Sequence, residues 1–258
     1  LNQRGTKLEP AELFKNLVFS KLEKNLGKEK VNEIWNSIIN PLDKNKFGTF
    51  LRHYWISKFE HISNKKLLRS IRRITNNMTS EEFVSLLNEM ANEAFIYSAL
   101  LDHSHTLWEN EDEISSLIDE INFLRFRQVF PLLVVLYRKF RNKERNEFKK
   151  LLKLFLNFSV RSYTILDRNP NEFERKYSEW ARLLREDKIE IKEIIEFLKE
   201  NWPSDDEIKN KIIGMQVKNE KKAKYILVKV NDALEKTLLH TTWSNQPTLE
   251  HVIPRNPN

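Results

Sequence analysis

At 258 residues and 31.0 kDa, the chain can build one large domain or two small ones, and with 40% hydrophobic and 31% charged residues it buries a core instead of staying disordered. Lys and Arg number 44 against 37 acidic residues, a net charge of +7 that is compatible with a polyanionic partner without demanding one. The absence of cysteine excludes disulfides and thiolate zinc sites and fits a reducing, cytoplasmic setting. The apolar run Val129–Tyr137 falls well short of the roughly 20 residues a bilayer span needs, so no membrane contact is expected.

Only 4 Gly and 8 Pro occur. Hairpin-rich sheets need Gly at positive φ and helices do not, so the expected class is all-α, a multi-helix bundle-like domain with short non-helical ends. In chain order, Pro10 suits a first helical turn, and Leu13, Phe14, Leu17, Val18 and Leu22 then recur at helical spacing. Val31, Ile34, Trp35 and Ile38 predict a second helix ending near Pro41, and Phe50, Leu51, Tyr54, Trp55 and Phe59 a third over Thr49–Ile62. Leu67, Leu68, Ile71 and Ile74 mark a fourth.

Thr79-Ser80-Glu81-Glu82 has the capping-box pattern and opens a long helix through Tyr97. Val129–Tyr137 is apolar on every face and predicts a buried central helix, followed by a helix through Phe148, Leu152 and Phe155. Asn169-Pro170 reads as a cap and first turn for the helix of Phe173, Tyr177, Trp180 and Leu184. A further capping box stands at Ser204–Glu207, a last helix runs roughly from Lys222 to Lys236, and Thr241–Pro247 is turn-like. There is no internal repeat. The opening at Leu1 without Met and the stop at Asn258 both read as cuts through larger units.

Lys65, Lys66, Arg69, Arg72 and Arg73 share one helical face, which either meets phosphates or serves as a solvated surface. The groups Arg138, Lys139, Arg141, Lys143, Arg145 and Lys221, Lys222, Lys224 pose the same choice. His103 and His105 lie in or near a helix, where a two-residue step turns the rings apart, so they are not read as metal ligands. His53, His61 and His240 are assigned no role, and Glu190, Glu193, Glu196 and Glu200 read as a charged helix surface beside Lys192 and Lys199. In Thr248–Pro254, Glu250-His251 followed by two β-branched residues and Pro suits a strand entering an exposed elbow, where His takes a proton from water and a carboxylate helps hold a divalent cation.

The two ends together resemble the GmrSD restriction family. Leu1–Leu8 followed by Glu12-Leu13-Phe14-Lys15-Asn16 is similar to the closing motif of its N-terminal domain, and Thr248–Asn256 to the opening of its C-terminal HNH nuclease domain. Phe50–Trp55, Phe130–Leu133, Arg161-Ser162-Tyr163 and Ala223–Leu227 resemble the helical middle. The resemblance implies three parts: 1–20 as the tail of a ParB/sulfiredoxin-like domain, 21–240 as the helical middle and 241–258 as the start of a truncated nuclease domain. It implies a nucleotide-regulated, modification-dependent enzyme of phage defence that hydrolyses phosphodiester bonds in foreign DNA. The full-length parent would use a divalent metal (Mg or Mn) and a nucleoside triphosphate, and the segment alone neither.

On this resemblance His251 is the general base and Glu250 a metal ligand, Asn2, Arg4 and Gly5 belong to the nucleotide-handling motif, and DNA is the partner, with a homo-oligomer allowed. The upstream nucleotide motif and the downstream Gly-Asn-Leu portion of the nuclease are not in the chain, and Arg255 stands where the family often has Gln, so the segment itself is expected to be inactive. The other reading is a non-catalytic helical interaction or DNA-binding scaffold in which Glu250-His251 is incidental.

Overall fold

The computed structural model describes residues 10–140 and 144–235, and among them the chain forms twelve α-helices and no strand. They are α1 (Pro10–Leu26), α2 (Lys28–Ile39), α3 (Lys44–Lys58), α4 (Asn64–Thr75), α5 (Ser80–Leu101), α6 (Asp112–Leu124), α7 (Phe130–Phe140), α8 (Arg145–Ser159), α9 (Asn171–Arg185), α10 (Ile191–Glu200), α11 (Asp205–Ile212) and α12 (Glu220–Glu235). Short 3-10 turns at Thr106–Trp108 and Arg127–Val129 and a π-helical stretch at Val160–Ile165 join them. The all-α expectation is met. The non-helical ends fall outside the described residues, as do Asn2, Arg4, Gly5, Glu250 and His251.

The apolar period of each helix decides what it buries. α7 is buried at every position from Phe130 to Tyr137, because α3, α5, α8 and α9 surround it, as its uninterrupted apolar run predicts. α1 and α2 form a hairpin through Gly27, whose φ of 79° is a left-handed value that a glycine adopts without a Cβ clash. An aromatic chain then ties this hairpin to the centre. Phe14 and Trp35 both pack on Phe47, Phe47 leads to Phe50, Phe50 meets Tyr97 edge-on at 5.3 Å, and Tyr97 meets Phe130 at 5.5 Å. Such pairs add about 0.5–1.5 kcal/mol each beyond the area they bury.

Both capping boxes form. Thr79 Oγ1 accepts from the Glu82 N–H at 3.2 Å while the Glu82 carboxylate accepts from the Thr79 N–H at 2.8 Å, and Ser204 and Glu207 do the same for α11. Thr79→Ala is expected to cost about 1 kcal/mol. The shift of the urea unfolding midpoint against the parent chain measures it, and an unchanged midpoint would show that water caps α5 equally well.

Two local expectations are corrected. The third helix covers Lys44–Lys58, not Thr49–Ile62, because Asp43 caps it by accepting from the Asn45 N–H at 3.0 Å. Beyond Lys58 the chain turns, and the Arg52 guanidinium holds the Ile62 carbonyl at 3.0 Å. Asn169-Pro170 precedes α9 instead of opening it: the Asn169 side chain accepts from the Asn171 N–H at 3.1 Å, so the helix begins at Asn171. His103 and His105 sit in the loop after α5, with His105 capping the 3-10 turn through Nδ1 and His103 3.9 Å from Asp119. No helix among the described residues is long and apolar enough to cross a membrane.

Candidate polyanion-binding site

α4 is short and strongly two-sided. Leu67, Ser70, Ile71 and Thr75 are buried against α1 and α3, and Ser70 accepts from the Trp55 indole N–H at 2.9 Å. The opposite face carries Lys65, Lys66, Arg69, Arg72 and Arg73, all exposed, and the helix contains no acidic residue. From Lys65 to Arg73 the row extends about 12 Å along the axis at 1.5 Å per residue.

Most of this charge is uncompensated. Arg73 pairs with Glu60, whose carboxyl the Ser70 hydroxyl and then Arg73 hold below its usual pKa against the opposing effect of burial. Lys65, Lys66, Arg69 and Arg72 make no ion pair among the described residues. The helix dipole accounts for only part of the pattern. Arg72 and Arg73 stand in the last turn, where cations are favoured, but Lys65 and Lys66 crowd the first turn, where the dipole opposes them.

The other basic groups behave differently. Arg138 binds Glu89 and Glu93, Lys139 lies 3.6 Å from Asp187 and Arg145 3.0 Å from Glu111. Lys222 pairs with Asp167 at 2.5 Å and Lys221 lies over the Phe123 ring. Arg141 and Lys143 lie outside the described residues. Of Glu190, Glu193, Glu196 and Glu200, Glu193 accepts from the Glu190 N–H and Glu196 lies 3.8 Å from Lys192, as a charged helix surface should. Among the described residues, no group of three or more His, Asp or Glu could hold a metal ion.

Sequence reasoning missed a second feature, at the chain segment leading into α4. His61 meets α9 at the buried Ser178, and His61, Arg175, Ser178, Glu179 and Arg182 line a cleft of about 430 Å³. Positions 175, 178, 179 and 182 follow helical spacing and so share one side of α9. Alone they read as an ordinary polar face; only the arrival of His61, 117 residues earlier than Ser178, makes them a concavity.

Ser178 orients the His61 ring. Ser178 gives its hydroxyl proton to the Arg175 carbonyl at 2.8 Å, so at 3.2 Å its oxygen accepts from His61 Nδ1–H, which leaves Nε2 to the surroundings. Burial lowers the His61 pKa, with Arg52 and Arg175 adding to the effect and Glu174 opposing it. Glu174 is itself held below the usual carboxylate range by a two-pronged bond from Arg52 at 2.7 and 2.9 Å. His53, deeper in the same region, accepts from or donates to the Tyr97 hydroxyl at 2.9 Å, and burial pushes its pKa down to about 4, so it stays neutral inside the core.

These are the features for which a relative would be sought, and no protein-family model, curated protein or solved structure matches the chain.

Proposed function

We propose that this chain is the helical, DNA-engaging part of a nucleotide-regulated, modification-dependent restriction endonuclease similar to GmrSD. The observation that carries the DNA contact is the α4 face, four of whose five cations lack an acidic partner among the described residues. An exposed row of this kind lies along phosphates and releases their condensed counterions. It reads backbone charge, not base sequence, and it would hold a duplex while catalytic parts elsewhere act. The nuclease assignment rests on the resemblance of Thr248–Asn256, with His251 as base and Glu250 toward a divalent metal, and of Leu1–Leu8, with Asn2, Arg4 and Gly5 toward the nucleotide. Those residues lie outside the described ones, so no cleavage step is assigned to the helices themselves. The cytoplasmic setting and any homo-oligomer belong to the same proposal.

The test is duplex binding measured across a salt series, for the parent chain and for a variant with Lys65, Lys66, Arg69 and Arg72 all changed to Gln. If each cation meets one phosphate, the slope of log K against log salt flattens by about 0.9 for every phosphate no longer neutralised, and affinity at ~0.1 M salt falls by more than about tenfold. Identical slopes would remove α4 from the interface and favour the non-catalytic interaction scaffold. The nuclease part is checked separately: the full-length parent should lose Mg²⁺- or Mn²⁺-dependent cleavage on His251→Ala while keeping its affinity for DNA.

A further inference from the structure

We propose that the cleft between His61 and α9 is a binding site for a phosphate monoester, distinct from the row of cations on α4. The polar groups in its lining come from two segments far apart in sequence and converge on one space. Arg175 is exposed and makes no ion pair among the described residues, so its whole guanidinium is available. Arg182 is half-buried and directs one N–H to the Phe59 carbonyl at 3.3 Å, a bond that orients the group and leaves its other donors for a ligand. Ser178 holds His61 through Nδ1, which turns Nε2 away from that contact, where in the protonated ring it donates to a dianion.

Two guanidiniums and an imidazolium match the charge of a monoester dianion better than that of a singly charged diester. Guanidinium is also the side-chain group whose planar fork fits phosphate oxygens. Glu179 is the one carboxylate in the lining, and Lys176 at 3.4 Å offsets it. An acceptor at that place suits a hydroxyl on the organic part of the ligand and disfavours a second phosphate. The volume, about 430 Å³, lies within the range of small-molecule sites and exceeds what a bare phosphate fills, leaving room for a sugar-sized substituent. The phosphate has two sources with the same chemistry: a free sugar phosphate, or the phosphorylated end of a strand held along α4. His61 stands three residues before α4 begins, so the second source rests on the DNA reading and the first does not.

The experiment titrates the chain with ribose 5-phosphate at about 0.15 M ionic strength, where distant surface attraction is screened. The readouts are calorimetry and the NMR titration of the His61 ring. The expected result is saturable one-to-one binding that weakens at least about tenfold in Arg175→Gln/Arg182→Gln, the loss of charge-assisted hydrogen bonds. The variant carrying four glutamines on α4 should bind ribose 5-phosphate as the parent does. Bound phosphate should also raise the His61 midpoint. The charged groups facing it are Arg52 from α3 and Glu174, Arg175, Glu179 and Arg182 from α9, and a dianion outweighs the depressing effect of the arginines.

A second arm compares duplexes with and without a 5′-phosphate. A preference for the phosphorylated end that vanishes in Arg175→Gln/Arg182→Gln assigns the source to DNA; binding of ribose 5-phosphate without that preference assigns it to the free ester. Arg175→Gln alone disturbs no internal bond of its side chain and keeps the test valid if Arg182→Gln impairs folding. Absence of saturable binding by either probe, or binding indifferent to Arg175→Gln, overturns the proposal, whatever the α4 variant does to DNA affinity.

Discussion

Replacing Arg185 with methionine is expected to destabilise the folded chain by about 3–5 kcal/mol, because it strips a buried carboxylate of its principal partner. Arg185 ends α9 with its side chain only 10% exposed, and reaches across the bundle. Its Nη1 lies 3.0 Å from Glu89 and 2.5 Å from Glu93, its Nη2 2.6 Å from the other Glu93 oxygen and 2.9 Å from Ser57 Oγ, and its Nε 3.0 Å from the Ser57 carbonyl. Arg138 on α7 joins the same two carboxylates, and Lys58 on α3 binds Glu89 at 2.7 Å. Four helices thus share one network of three cations and two anions, with the Tyr54 ring 5.8 Å from the Arg185 guanidinium.

Burial alone would lower the pKa of Arg185, but the hydrogen bonds and charge of Glu93, followed by the charge of Glu89, raise it above its ordinary value. A methionine fills the space and leaves Glu93, 1% exposed, with Arg138 as its remaining partner. Urea unfolding followed by far-UV circular dichroism measures the loss. The double variant Arg185→Met/Glu93→Leu should recover part of it, since the cost lies in the unpaired charge more than in the missing bridge. A single-variant loss below about 1 kcal/mol would mean that water solvates the network and that it does not lock the four helices together.

The second large effect is apolar. Phe130 opens α7 with no exposed surface, edge-on to Tyr97 at 5.5 Å, where the aromatic chain from α1 and α2 reaches the central helix. Phe130→Ala is expected to cost about 3–5 kcal/mol, the lost transfer of the ring plus the cavity that rigid neighbours cannot close. Ile213 supplies the contrast: it is 78% exposed, and its change to Ala should stay within about 0.5 kcal/mol. Calorimetric unfolding of the two variants side by side gives both numbers. Comparable losses would mean that α7 is not the centre of the packing.

The two variants probe different kinds of information. The burial of Phe130 was legible from the run Val129–Tyr137, since a helix apolar on every face has no side to offer water. The Arg185 network was not legible. Arg185 lies 92 residues from Glu93 and 128 from Ser57, and in α9 it looks like any cation closing a helix. The two candidate sites divide the same way. The cations of α4 could be placed on one face by counting residues, whereas His61 carried no signal at all, because its meaning comes from Ser178 on another helix.

By itself, then, the sequence determined that this is an all-α protein, where α5 and α11 are capped, which helix is central and which one shows an all-basic outer face. Each of these follows from interactions within a few residues, at the 3.6-residue period of the helix or the three-residue reach of a capping side chain. The tertiary structure alone decided that Arg138 and Arg185 are internal partners of Glu89 and Glu93 while most of the α4 cations stay uncompensated, that Arg52 closes on Glu174, and that His61 meets α9 to form a cleft. Those pairings join residues of about 45 to 130 positions' separation, and they depend on how whole helices cross, which is set by the fit of their buried faces. Local periodicity tells a side chain which way to face; only packing supplies what it meets there.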